Sequence, residues 1–253
     1  MFNQYDIQVI VLAGGKSKRM LTGNSKVLQE INGEAIIKRD LKLLDQLGFT
    51  ENTVIVLSFD NEKIKQEIAT TGYRPIFVDQ GIPLGTAHAV KMGLSSSGNS
   101  ETTLVLYGDD SSLFKPQTII DFVKFHVDSG SAMTLLTVTQ NDINYLGYIK
   151  RNSAGQIVGI DGPSDTVNLL EKETVCGAFC FSTTWLRSHI TKIKKNDFNG
   201  EYPLPGLIPL AALERKYPKS FKLKNHFEWT SVNTPEELER ARNYQNMLLH
   251  GKN

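Results

Sequence analysis

The residues best suited to chemistry come early in the chain. Leu12-Ala13-Gly14-Gly15-Lys16-Ser17-Lys18-Arg19-Met20 follows an apolar run from Ile7 to Val11, and Lys26 comes shortly after. Gly14 and Gly15 lack a Cβ, so their amides can approach a bulky anion closely and can take positive φ without strain. Lys16, Lys18, Arg19 and Lys26 place four cations within eleven residues, a charge density that suits a polyphosphate. The loop matches neither the dinucleotide fingerprint G-x-G-x-x-G nor the P-loop. Taken alone it reads equally well as an ordinary turn between a strand and a helix.

Three further segments supply what such a loop lacks. Leu104 to Tyr107 is an apolar run ending in Gly108-Asp109-Asp110, which puts carboxylates at the carboxyl edge of a sheet, where open α/β sheets bind ligands. A carboxylate there would hold Mg²⁺, which is usually bound by one or two carboxylates plus substrate phosphates; the competing reading is a turn-forming aspartate. Asp79 to Val90 is a loop punctuated by Gly81, Pro83 and Gly85 that opens a helix. Gly85 and Thr86 would offer free backbone N–H groups at the helix start. Gln80, with donors and acceptor lone pairs, suits the imide edge of uracil or thymine. His88 reads as a packed or half-exposed helix residue rather than a catalyst. Asn233, just before the final helix, is either a turn residue leading into the cap Thr234 or a carbonyl ligand for the same metal.

The elements that must position these residues alternate. Strands are predicted at Ile7 to Leu12, Thr53 to Leu57, Ile76 to Val78 and Thr102 to Tyr107. Helices are predicted at Ile36 to Leu47, from an Asn61 cap to about Ala69, from the Gly85-Thr86 opening, and from Pro116 through Val127. Such alternation implies an α/β fold, Rossmann-like, with a mostly parallel sheet, helices on both faces and right-handed crossovers. From Ala132 the pattern becomes strands with short turns: Met133 to Thr139, Gly147 to Arg151, Gln156 to Ile160 and Ala178 to Phe181, with Asn152 to Gly155 as a hairpin turn. A small β-rich layer is therefore expected after the nucleotide half. Thr234-Pro235-Glu236-Glu237 starts a last helix reaching about Leu249.

Composition limits the function classes. With 28 Lys and Arg against 27 Asp and Glu in 253 residues, there is no global basic field, so nucleic acid is not expected as a partner. Residues 1 to 6 show no basic leader, and no apolar run is long enough to cross a membrane. The two cysteines, Cys176 and Cys180, are too far apart on a strand to bond and read as core thiols. A reducing, cytoplasmic setting is expected.

Together and in this order, the four segments resemble the nucleotidyltransferases that make nucleotide sugars, most closely the N-acetylglucosamine-1-phosphate uridylyltransferase domain. The likeness runs from about Gln8 to Leu238. It implies the nucleotide-diphospho-sugar transferase fold, related to the GT-A fold, in a single domain over 1–253. Residues 1–130 would form a nucleotide half, 131–230 an acceptor half and 231–253 a C-terminal helix. By the same resemblance Leu12, Ala13, Gly14, Gly15 and Lys16 bind the nucleoside triphosphate, as does Gly108. Gln80, Gly85 and Thr86 hold a pyrimidine, Lys26 contacts phosphates, and Asp109 with Asn233 binds Mg²⁺. Gly147, Asp161 and Val175 fall on the acceptor side. Some relatives carry an acetyltransferase domain; this sequence, ending at Asn253, is not expected to transfer acetyl groups.

The chemistry suits these residues. A sugar 1-phosphate attacking an α-phosphorus needs no general base, because its second pKa of about 6 leaves it mostly ionised near neutrality. The obstacles are repulsion between two polyanions and charge on the departing pyrophosphate, which cations and aligned amides relieve. Arg19, helped by Lys16, is assigned to the β- and γ-phosphates, and Lys26 to the α-phosphate and the incoming phosphate.

Several positions depart from the family pattern: Ser17 for a loop glycine, Asp110-Ser111 for Val-Pro, Val175 for an asparagine, and Asp161 for a glutamate one methylene longer. These leave open whether the acceptor is N-acetylated, and whether it is a sugar or another phosphate used with CTP. A nucleotide sensor without turnover is the alternative from another class. A GT-A glycosyltransferase would carry Asp-x-Asp, which Asp109-Asp110 is not. The oligomeric state is also open, with a homo-oligomer allowed.

Overall fold

A computed structural model describes residues 6–15, 20, 23–49, 52–140, 147–162, 172–197 and 199–250. The expected strand-helix alternation is present: β1 (Ile7–Leu12), β2 (Glu30–Ile31), β3 (Glu34–Ala35), α1 (Ile36–Gln46), β4 (Thr53–Leu57), α2 (Asn61–Ala69), β5 (Ile76–Asp79), α3 (Thr86–Ser96), β6 (Thr102–Tyr107) and α4 (Pro116–Ser129). There follow β7 (Met133–Gln140), β8 (Tyr148–Arg151), β9 (Ile157–Asp161), β10 (Lys172–Ser182), α5 (Thr183–His189), α6 (Leu207–Leu213), β11 (Lys219–Lys222) and α7 (Pro235–Leu249).

One seven-stranded sheet runs in the order β11-β7-β10-β6-β1-β4-β5. β1 pairs in parallel with both β4 and β6, and β4 with β5. β10 alone runs against its neighbours β6 and β7. β1 lies inside the sheet, between β6 and β4, and is covered on both faces, which is why nearly every residue of Ile7–Leu12 is buried rather than every second one. Val9 and Val11 face one core with α1, α2, α4 and α7, while Ile10 faces the other with α3, α5 and α6. α1 is typical of the helices: Ile36, Ile37, Leu41 and Leu44 recur at helical spacing and are all fully buried, each contributing about 1.5–3 kcal/mol.

The β-rich segment divides. β7, β10 and β11 extend the main sheet, and only the hairpin β8–β9 forms a separate small layer. Its turn is the expected one, with Gly155 N–H donating to Asn152 O at 2.9 Å. β10 is longer than the predicted Ala178 to Phe181, because its first half pairs with β7 across a bulge between Val175 and Phe179. Gly177 sits in that irregularity with φ +69°, a conformation that strains residues with a Cβ.

Two local expectations are corrected. The cap of α2 is Asp60, at φ 55°, not Asn61. Asn61 is the first helical residue, and its amide donates instead to Asp79 Oδ2 at 3.0 Å. Helices α5 and α6 and strands β2, β3 and β11 were not foreseen, none of them being longer than seven residues. Cys176 and Cys180 are buried free thiols, as expected; burial pushes both well above the ordinary thiol range. No described helix is long and apolar enough to cross a membrane.

Candidate functional site

Because β1, β4, β5 and β6 are parallel, their carboxyl ends share one edge of the sheet. Leu12-Ala13-Gly14-Gly15 leaves β1 between the ends of β4 and β6: Ala13 N–H donates to Val56 O at 2.9 Å, and Gly108 N–H to Leu12 O at 3.0 Å. Gly14 is required by close approach. A Cβ there would lie 2.7 Å from Ser58 Oγ, and that hydroxyl donates to Gly14 O at 2.6 Å. Gly15 has open space where a Cβ would go. Gly108 is similarly tight, its virtual Cβ 3.1 Å from Leu12 O. Lys16 and Arg19 lie outside the described residues.

Three residues from distant parts of the chain meet at this edge. Lys26 begins a 3-10 turn, Asp109 follows β6, and Asn233 precedes α7. Lys26 Nζ donates to Asp109 Oδ2 at 2.7 Å and also to Asn233 Oδ1. The ammonium is mostly buried, with the Lys26 side chain 15% and the Asp109 side chain 23% exposed. The two oxygens thus converge on a single cation. A carboxylate and an amide carbonyl are hard donors of the kind Mg²⁺ accepts, with phosphates and water completing its shell, so this pair fits the metal that the resemblance implies. Among the described residues no group of three or more His, Cys, Asp or Glu forms a metal site; any metal here would draw on substrate oxygens.

Asn233 is held by the helix it precedes. Thr234 caps α7, its hydroxyl accepting from Glu237 N–H at 3.3 Å, while Glu237 Oε2 accepts from Asn233 N–H at 2.5 Å. This resembles a capping box, shifted by one residue on the return bond. Sequence reasoning identified Thr234 and Asn233 and placed Glu237 in the first turn, but did not read the bond by which Glu237 holds Asn233, although the T-x-x-E spacing was there.

Asp110 faces inward. Its carboxyl approaches the bulge in β10, where a Cβ on Gly177 would lie 2.6 Å from Asp110 Oδ2. Burial, then the neighbouring Asp109 charge, raises its pKa well above the usual carboxylate range. Beneath it, Ser111 Oγ donates at 2.8 Å to the fully buried Asp40, whose pKa is raised chiefly by burial.

The loop after β5 is built around Gly85. Its φ is +105°, and an added Cβ would lie 2.7 Å from both the N and O of Tyr202. Tyr202 N–H donates to Leu84 O at 2.7 Å, and Ala87 N–H to Tyr202 O at 2.9 Å, so Tyr202 straps the start of α3 and takes one of its N-terminal amides. Thr86 Oγ1 accepts from Leu204 N–H at 2.8 Å. The backbone role of Tyr202 has no local signature in the sequence. Gln80 is buried, and its Nε2 lies 3.1 Å from Gly85 O and 3.0 Å from His88 Nδ1.

The three residues that the resemblance places on the acceptor side sit around the hairpin. Gly147 O accepts from Thr174 Oγ1 at 2.7 Å, and a Cβ on Gly147 would meet Ile160 Cγ2 at 2.6 Å. Asp161 pairs with Lys150 at 3.0 Å, with the Asp161 side chain 39% exposed. Val175 pairs with Thr137 and packs against the core on the α3 side.

The model of the MobA-like NTP transferase domain matches residues 9–173, well over half of the chain and the part that carries Gly14, Lys26, Gln80 and Asp109. The chain belongs to that family. Among curated relatives of this NTP transferase domain, the bifunctional protein GlmU of Corynebacterium diphtheriae is 28% identical over 257 residues, covering 98% of this chain and 52% of that protein. GlmU of Psychrobacter arcticus is 30% identical over 250 residues, covering 96% and 53%. The chain thus spans about half the length of the curated relatives it matches. Of solved structures, a Bacillus anthracis protein provisionally assigned as a glucose-1-phosphate thymidylyltransferase, in complex with a sucrose, superposes with a TM-score of 0.77. It is 18% identical and covers 94% of this chain and 95% of its own. HddC from Yersinia pseudotuberculosis, complexed with GMP-PN, gives 0.69 at 18% identity, covering 94% and 98%. The fold is that of the nucleotide-diphospho-sugar transferases.

Proposed function

We propose that this nucleotidyltransferase moves a nucleotidyl group from UTP or dTTP to a sugar 1-phosphate, releasing pyrophosphate, with Mg²⁺ as its metal. The observation that carries the reading is the convergence of Lys26, Asp109 and Asn233 on one point at the carboxyl edge of β1 and β6. The neighbour provisionally assigned as a glucose-1-phosphate thymidylyltransferase supports the acceptor class.

In the reaction an oxygen of the acceptor phosphate forms a bond to the α-phosphorus, the bond from that phosphorus to the β-bridging oxygen breaks, and pyrophosphate leaves. The acceptor arrives already ionised, so the protein's work is to align and neutralise. Asp109 and Asn233 would hold the metal, which when bound would neutralise phosphate charge and help fix the in-line geometry. In that state Lys26, freed from its bridge, would turn to the α-phosphate and the acceptor phosphate. Gly14, Gly15 and Gly108, with Leu12, Ala13 and Lys16, would line the triphosphate. Arg19 would neutralise the leaving pyrophosphate. Gln80, Gly85 and Thr86 would hold the base, and Gly147, Asp161 and Val175 would border the acceptor. The chain would work as one domain, with the nucleotide half over 1–130 and the acceptor half over 131–230. Two free buried thiols accord with a reducing, cytoplasmic setting.

A matrix of nucleoside triphosphates against sugar and alditol phosphates, with and without Mg²⁺ and read by pyrophosphate release, tests this. Turnover with UTP or dTTP and a sugar 1-phosphate, abolished by chelation, is expected. Tight nucleotide binding with no pyrophosphate from any pair would overturn it in favour of a sensor.

A further inference from the structure

The Gln80 amide is more constrained than its chemistry alone requires. Nε2 lies 3.1 Å from Gly85 O, which can only accept, so the nitrogen end of the amide must face it. The same Nε2 lies 3.0 Å from His88 Nδ1. With both amide hydrogens donated, His88 Nδ1 must be the acceptor, and the imidazole is neutral with its proton on Nε2. Burial, and secondarily the Lys91 charge, lowers the His88 pKa, consistent with that neutral form. Neither partner can drift. Gly85 O accepts from Ala89 N–H at 3.1 Å, and His88 stands in the first turn of α3 between the buried Ala87 and Ala89. Gln80 itself is tied at the end of β5, its N–H donating to Leu57 O at 2.6 Å. Its donors are spent, and what remains to offer a ligand is Oε1.

We propose that His88 locks Gln80 in its acceptor-outward orientation, and so makes the site select nucleobases whose ring nitrogen carries a hydrogen. Uracil and thymine present N3–H and guanine N1–H to such an acceptor. Cytosine N3 and adenine N1 carry lone pairs that meet Oε1 in repulsion. His88 is then a positioning residue, acting on the base through Gln80. The inference rests on the reading of Gln80 as a base contact in the proposed function. It differs from a general fit to the imide edge, because the amide donors of Gln80 take no part.

Equilibrium binding of UTP, dTTP, GTP, CTP and ATP to the whole chain, measured by titration calorimetry without acceptor, separates this from the enzymatic reading. The wild-type protein should bind at least one of UTP, dTTP and GTP at least ten-fold more tightly than CTP and ATP. In His88→Leu the Gln80 amide regains a free N–H, and the preference over CTP should fall about five-fold, the worth of one hydrogen bond of about 1 kcal/mol. His88→Asn, which restores an acceptor near the Nδ1 position, should recover it. CTP bound by the wild-type protein as tightly as UTP, dTTP and GTP, or an unchanged preference in a folded His88→Leu variant, would overturn the inference. The expected binding order without pyrophosphate release from any acceptor would uphold it while removing only the enzymatic reading.

Discussion

The two sides of the carboxyl edge are built on different principles. On the side proposed for the nucleotide, polar atoms from separate elements aim at shared points: Lys26, Asp109 and Asn233 at one, Gln80, Gly85 and His88 at another. On the side proposed for the acceptor, the polar contacts at Gly147, Asp161 and Thr174 are made within the β8–β9 hairpin and the strand beside it. A site that must neutralise a triphosphate needs charges fixed before the ligand arrives, since preorganisation is what makes them effective. A surface that meets a sugar can exchange exposed contacts for ligand contacts at little cost, because an exposed ion pair such as Lys150–Asp161 is worth less than about 1 kcal/mol.

The largest expected effect tests the fixed side. Asp109→Ala should cut pyrophosphate release by about a thousand-fold or more, equivalent to about 4 kcal/mol of transition-state stabilisation, with circular dichroism unchanged. Activity within ten-fold of wild type would mean that the convergence at Lys26 is structural.

Next comes the packing of α4 on the sheet at β7. His126 on α4 is buried and bonded to Thr134 Oγ1 of β7 at 2.8 Å, and burial lowers its pKa to about 4. A histidine depressed below its unfolded value of about 6.5 contributes stability that is complete above that pH and is lost as pH falls toward 4. The loss should be on the order of 3 kcal/mol. Urea denaturation between pH 7 and pH 4 should show it, and His126→Phe should flatten it.

A third, smaller effect concerns the base loop. Gly85→Ala puts a Cβ 2.7 Å from the Tyr202 backbone at φ +105° and should cost about 2 kcal/mol of stability. Nucleotide KM should rise more than acceptor KM; the reverse would place the Tyr202 strap on the acceptor side. The smallest effect is on the adaptable surface. Asp161→Asn should raise acceptor KM about five-fold, roughly 1 kcal/mol, and leave nucleotide KM alone. An unchanged acceptor KM would remove Asp161 from the acceptor surface.

Much of the nucleotide half was legible because it is local. An apolar run marks β1 or β6, and the Gly14-Gly15 pair marks a turn with room for close approach, although that Gly14 packs on Ser58 was not readable; beyond that half, Thr234 with the acids after it marks a helix start. The acceptor half was harder. β10 reads as four residues because Gly177 interrupts its apolar pattern, and the other half is recognisable only beside β7, which completes its pairing. The hydrogen bonding around Gln80 was illegible for a different reason: an isolated glutamine shows both ends of its amide, and only the Gly85 carbonyl together with His88 Nδ1 occupies the nitrogen end.

By itself the sequence determined the parallel nucleotide strands, the helices that cover them and the residue types that could handle a triphosphate, because apolar spacing and glycine geometry act over a few residues. Only the tertiary structure decided that Lys26 meets Asp109 across 83 positions and Asn233 across 207. It likewise decided that β10 enters the sheet against its neighbours and brings Gly177 onto Asp110. Such meetings depend on which strands become neighbours and in what register, and that is settled by burying both faces of the sheet at once rather than by any local pattern.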